Sequence, residues 1–332
     1  MMPGAARRGG WVVAGLGAAA VLLAAAPLFL SSYPLTLLTQ ALIYAIFAMS
    51  LDILLGYTGL PSLGHAAYFG VGAYAVAILA TEFRAGFWTC LVAAVAAAIL
   101  AGALFGPLAI RAVGTYFLMI TLALGMLVWG LAFRWVSVTK GDNGISGLER
   151  PTLGPWSFAD PTAFYFLSLA TFVVSAACLV VVVRSPFGMS LMGIRESEAR
   201  MRSLGYNVWL HKYLAFMLAA AFAGVAGFLW AYYNGFVSPV EVQLVTSVEA
   251  LLMVALGGSG TLVGPALGAG LIVFLKNFVS VYTKRWLLIL GGVYICVILF
   301  APGGIIGALR GVGALRGWGA LRRWRRPGAG AT

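Results

Sequence analysis

The sequence predicts an all-α polytopic membrane protein of about ten (roughly 8–10) transmembrane helices, some of them interrupted. Three observations carry this reading. Of 332 residues, 62% are hydrophobic and 9% charged, against roughly 25% charged in a soluble domain, so solvated side chains cannot cover a globule. Apolar runs of membrane-crossing length recur without strand-like alternation, which favours helices over a barrel. Several of those runs are broken by Gly/Pro clusters.

The charge-free stretches place the elements in order. Gly9–Leu51 carries no charge, enough for two crossings of ~20 residues each, and Ser31-Ser32-Tyr33-Pro34 divides it. Trp11–Leu30, preceded by Arg7 and Arg8, is too long for a signal-peptide core and is followed by another span, so it reads as an uncleaved first helix. Single runs follow at 53–81, 85–110, 112–133, 161–183 and 213–240. The string GGSGTLVGP (257–265) splits the next region into crossings at 243–258 and 261–282, and a last run covers 286–309. Glu249 inside the short segment 243–258 leaves a re-entrant reading open.

Both ends of the chain are rich in arginine, so the positive-inside rule puts both in the cytoplasm and makes the number of crossings even. On that basis residues 1–10 are a cytoplasmic N-terminus, 11–305 the transmembrane domain and 306–332 a basic cytoplasmic tail. The polar loop 134–161 is external and the loop 184–212 cytoplasmic.

Composition also excludes classes of function. The net charge is +12, but Arg310, Arg316, Arg322, Arg323, Arg325 and Arg326 concentrate it in the tail, which suits anionic lipid headgroups rather than nucleic acid. No GxxxxGK[ST] phosphate loop occurs, so ATP is not bound in that way. The only histidines are His65 and His211, and no nucleophile–base set accompanies them. Cys90, Cys178 and Cys296 stand far apart, with no metal-ligand spacing. No catalytic residue, metal or bound cofactor is expected.

One apolar run poses a chemical question. GYTGLPSLGHAAYFGVGAY (56–74) places Gly, Pro and His at membrane depth, where irregular backbone survives only beside protein or a wet cavity. A helix restarting there aims unpaired N–H groups and a positive dipole end at whatever lies beside it. Thr58 or Ser62 would cap it, and His65 falls in its first turn. Close packing by Gly64, Gly70 and Gly72 is the plainer alternative. GYTG (56–59) and GGSG (257–260) are similar strings at junctions between apolar runs, a match short enough to arise by chance. In the loop 184–212, SPFGMSLMGIRESEARMRSLGYN (185–207) starts with a helix-opening Pro186 and mixes apolar with charged residues, as a docking or membrane-surface helix does.

These segments together resemble the branched-chain amino acid ABC importer permeases, LivM-type subunit. Gly56-Tyr57-Thr58-Gly59, Ser62-Leu63-Gly64-His65, Arg111, Gly114, Tyr116-Phe117, Thr121-Leu122-Ala123, Ser185-Pro186-Phe187-Gly188, Ile194-Arg195-Glu196, Ala223-Gly224, Gly257-Gly258 and Pro302-Gly303 carry the likeness, in order, across residues 35–305. The resemblance implies a homologous second permease, two cytoplasmic ATPases that hydrolyse ATP/Mg, and a periplasmic substrate-binding protein. It implies that Pro186, Phe187, Gly188, Arg195, Glu196, Glu198, Ala199 and Gly205 couple to the ATPases, although Arg200 stands where the family's second alanine would be. For the substrate, a zwitterion with an apolar side chain, the candidate path is Thr58, Ser62, Gly64, His65, Tyr68, Tyr74, Tyr116 and Thr121. Urea, short amides or aromatic acids are alternative cargoes within the family. A stand-alone secondary transporter or channel, with Asp52 or Glu249 as its embedded acid, and a membrane enzyme or scaffold are the rival classes.

Overall fold

Apolar surroundings require every backbone polar group to find a partner within the protein, and most of the described chain meets this as helix. The computed structural model describes residues 23–153 and 156–283, with 285, 288, 289, 291, 292, 295 and 304–311 beyond them. Residues 23–29 are helical, then α1 spans Ser32–Asp52 and runs into a π-helical turn, Ile53–Thr58. After a break come α2 (His65–Glu82), α3 (Phe87–Ala109), α4 (Thr115–Arg134) and α5 (Pro161–Arg184). The short helices α6 (Pro186–Glu196) and α7 (Glu198–Ser203) precede the long α8 (Val208–Asn234). Then follow α9 (Leu244–Gly257), α10 (Val263–Tyr282) and α11 (Gly304–Gly311).

Local chemistry sets several of these boundaries. Asp160 accepts from the N–H groups of Thr162 (3.1 Å) and Ala163 (3.3 Å) ahead of Pro161, which opens α5. Ser185 and Pro186 repeat the device at α6, and Asn207 caps α8 through Leu210 N–H at 3.0 Å. Ser238 and Glu241 form a reciprocal capping box on the turn Pro239–Val242, ahead of α9.

The centre of the bundle is α1, α2 and α8. α8 packs on α2 and α3, and α1 packs on α10, α5 and α8. Small residues allow the close approach: Gly72 lies on the Gly224 backbone, and Gly70 meets Val242. α1 and α8 are largely buried, whereas α3, α4 and α5 expose most of their apolar surface.

Polar contacts sort the connections into two opposite ends. At one end Lys140 meets Glu82 at 4.0 Å, and β1 (Ile145–Ser146) pairs antiparallel with β4 (Phe236–Val237). A second small hairpin there joins β2 (Thr152–Leu153) to β3 (Trp156–Ser157). At the other end the α6–α7 segment meets the backbone at Gly56, and Lys212 pairs with Glu198. The loops 134–161 and 184–212 therefore lie at opposite ends of α5.

Six helices among the described residues are long and apolar enough to cross a membrane, the first being Ser32–Thr58. α2, with 18 residues, restarts inside the bundle. α9 has 14 residues, about 21 Å at 1.5 Å per residue, short of a hydrocarbon core of ~30 Å. The expected count of about ten is thus not reached among the described residues. Most of Trp11–Leu30, of the run 286–309 and of the Arg-rich tail lies outside them.

Candidate functional site

The break after α1 is built from residues that cannot continue a helix. Thr58 Oγ1 donates to Ile53 O (2.8 Å), closing the wide π turn, and Gly59 stops it with φ +76°. Pro61 follows, and α2 restarts at His65. The restart is held from three sides. Leu63 N–H donates to Thr121 Oγ1 of α4 (3.2 Å), Ala66 N–H donates to Ser247 Oγ of α9 (3.0 Å), and His65 Nε2 lies 2.8 Å from Ser50 Oγ of α1. The His65 ring stacks on Phe47 (5.3 Å, 17°) and meets Tyr68 edge-on (5.9 Å). Gly64 lies directly on the Thr121 carbonyl and faces Gly125.

Of the sequence-predicted path residues, Thr58, Ser62, Gly64, His65, Tyr68 and Thr121 are buried around this break. Tyr74 is buried further along α2, six residues beyond Tyr68. Tyr116 stands apart, 74% exposed on the outer face of α4. One N–H of the restarted helix, that of Ala66, is already occupied by Ser247, so this donor does not point at open space. Ser62 Oγ, His65 Nδ1 and, further along α2, the Tyr74 hydroxyl are buried without a hydrogen-bond partner among the described residues, and such atoms are able to serve a ligand.

The second break closes on the first. α9 ends at Gly257, and Gly258, Gly260 and Leu262 all take positive φ before α10 begins. Asp52, fully buried at the end of α1, accepts from Gly260 N–H at 2.8 Å and Leu262 N–H at 3.2 Å. The strings GYTG and GGSG, similar in sequence, are neighbours in space. Asp52 accordingly acts here as a backbone anchor. Glu249, the other embedded acid, pairs with Lys276 of α10 at 2.9 and 3.2 Å.

The coupling residues divide between two faces. Glu196, Ala199, Arg200, Leu204 and Gly205 are exposed. Gly188 is buried against the Val183 carbonyl, Phe187 stacks on His211 (5.8 Å), and Glu198 bonds Lys212 and Arg202. Pro186 is an exposed helix opener. Arg195 donates to Gly56 O, away from the exposed face. Ser50, Ser247 and Gly125 complete the site and were not among the candidate path residues; Ser247 is one of the residues that carry the family resemblance, whereas Ser50 and Gly125 signal only as a hydroxyl and a glycine within apolar runs.

Comparison with known proteins decides the family. A model described as "Branched-chain amino acid transport system / permease component" matches residues 33–299. The chain belongs to that permease family. It is 33% identical to the high-affinity branched-chain amino acid transport system permease protein LivM of Escherichia coli (strain K12), over 87% of this chain and 74% of that protein. Its identity to LivH of the same strain is 25%, covering 80% of this chain and 91% of LivH. A probable LivM of Methanocaldococcus jannaschii is 22% identical over 80% of this chain and 90% of its own length. No solved structure matches. Within the permease family, then, this chain is of the LivM type, and both breaks and the α6–α7 segment lie inside the matched range.

Proposed function

We propose that the chain is one of two homologous permease subunits of an ATP-driven importer for branched-chain amino acids (Leu, Ile, Val). The carrying observation is the family match across nearly all described helices, together with relatives named as branched-chain amino acid permeases. The partners are a second, LivH-like permease, two cytoplasmic ATPases and a periplasmic binding protein. ATP and Mg are handled by the ATPases, and this chain binds no cofactor. The exposed residues Glu196, Ala199, Leu204 and Gly205 form the surface that meets an ATPase groove. The break at 59–64 shapes the wall of the path, with Ser62 and His65 as its polar atoms. Tyr116, exposed on α4, reaches the path from the side shared with the second permease. The cargo is a zwitterion with an apolar side chain; the urea, amide and aromatic-acid readings are kept as outcomes of the uptake assay.

We read the chain as crossing a bacterial inner membrane about ten times, with both termini cytoplasmic. Single cysteines at Asp142 and at Glu196 test the orientation: a membrane-impermeant maleimide is expected to label the first from outside and the second only after the cytoplasmic face is opened. External labelling at 196 reverses the assignment.

Reconstitution tests the function. The four-component complex in liposomes is expected to take up leucine in an ATP- and binding-protein-dependent way, and this chain alone to do neither transport nor ATP hydrolysis. Robust leucine uptake by the solitary chain would return the secondary-transporter reading.

A further inference from the structure

We propose that Arg195 and Asp52 form one coupling node, through which movement of α6 reaches both broken-helix junctions at once. The inference rests on the ABC-importer reading and adds a mechanism to it.

Four contacts define the node. Arg195 is an exposed residue overall, yet its guanidinium donates to the carbonyl of Gly56 in the π turn. Its stem lies along Gly59, where an added Cβ would stand 3.0 Å from Arg195 Cγ. The same guanidinium borders the other junction: a Cβ at Gly260 would stand 3.3 Å from Nη1. Asp52 completes the link by holding Gly260 N–H and Leu262 N–H.

The junctions are where a push from α6 would have an effect. Residues 59–64 and 258–262 lie outside the helix ladder and 53–58 are held in the wider π pattern, so their dihedrals change at lower cost than those of the packed α-helices. Leu262 is a non-glycine residue held at φ +54°, a conformation that persists only when its surroundings impose it. The Asp52 carboxylate on its N–H is one such constraint. Hydrogen bonds in which one partner is ionised are the stronger kind, and here an arginine and an aspartate each grip backbone rather than one another. Gly56 allows the assembly, because a Cβ there would collide with the Asp52 carboxylate and the Gly260 amide. α6 in turn is pinned to α7 and α8 by the cluster of Ile194, Met201 and Val208, so displacement of the exposed face carries Arg195 with it.

The test uses the reconstituted four-component complex and reads leucine taken up per ATP hydrolysed in the same vesicles. Arg195→Met keeps a stem over Gly59 and removes the charge. Asp52→Asn keeps the shape and turns one acceptor into a donor facing N–H groups. Each is expected to lower uptake per ATP roughly tenfold or more, the scale of losing a hydrogen bond to a charged group. The double variant should be no worse than the more affected single one, because both break one linkage. Arg195→Lys, which keeps charge without the planar fork, should recover part of the ratio, and it serves if Arg195→Met fails to assemble. An unchanged ratio in the assembled Met variant overturns the proposal, as does an unchanged ratio in both the Lys and the Asp52→Asn variants if the Met variant does not assemble. So does a parallel fall of assembly, hydrolysis and uptake at constant ratio, which would make Arg195 a packing residue. Failure of the wild-type complex to couple ATP to leucine uptake would instead sink the importer reading itself.

Discussion

Gly64→Leu is expected to abolish uptake and to prevent recovery of an assembled complex. At this position α2 restarts with its backbone against the carbonyl of Thr121, and a Cβ would stand 2.9 Å from the Thr121 carbonyl carbon and 3.4 Å from Gly125 N. The obstacle is backbone on a packed helix, which cannot rotate away as a side chain does. Overpacking a tight site by single carbons costs about 1–3 kcal/mol, so Gly64→Ala should already lower the melting temperature and Gly64→Leu should exceed what the fold tolerates. His65→Ala is the graded comparison. It removes the Ser50 contact and the stack on Phe47 but leaves Ser50 bonded to Phe47 O at 2.7 Å. Uptake should fall severalfold while assembly stays measurable. Thermal melting of the detergent-solubilised complex, read beside uptake, checks both. Normal uptake by both variants would show that the break is tolerant packing and that the path runs elsewhere.

Lys276→Met should destabilise nearly as strongly, for an electrostatic reason. Both oxygens of Glu249 accept from Lys276, and the side chains are 6% and 30% exposed. Removing one member of a buried ion pair costs about 3–5 kcal/mol because the other charge is left in a low-dielectric interior. The paired change Glu249→Gln with Lys276→Met should recover most of that loss, since a neutral amide beside an apolar chain has no charge to desolvate. Uptake per assembled complex then separates two roles for Glu249. Recovery of both stability and uptake makes the pair a structural clasp between α9 and α10. Recovery of stability alone makes Glu249 an acid that transport needs, as the secondary-transporter class would have it.

Much of this was legible in the residues themselves. The scarcity of charge settled that the chain is a membrane protein, because the solvation of a globule is a matter of composition. The charge-free runs located the helices, since apolar length and helix length share one rise per residue. GYTGLPSLGH marked a break because Gly59 and Pro61 cannot prolong a helix, and Ser185-Pro186 marked a start because proline and a serine cap suit one. The polar loops sorted to opposite ends because a long apolar helix of known length separates them. The ordered motifs also pointed to the permease family, which the comparisons bear out.

Tertiary structure alone decided what those segments touch. The Asp52–Gly260 bond joins residues 208 positions apart and Arg195–Gly56 joins residues 139 apart, distances over which no local pattern carries information. Whether Gly64 packs or lines a path depends on Thr121 of another helix. Whether Tyr116 is enclosed depends on which face of α4 its neighbours cover, and among the described residues none covers that one. Arg195 in the same way has a charge and a place on α6 that suit an outward docking role, and only the folded π turn offers it an inward carbonyl. Periodicity and capping are properties of adjacent residues; the pairing of a buried charge is a property of whatever the fold brings beside it.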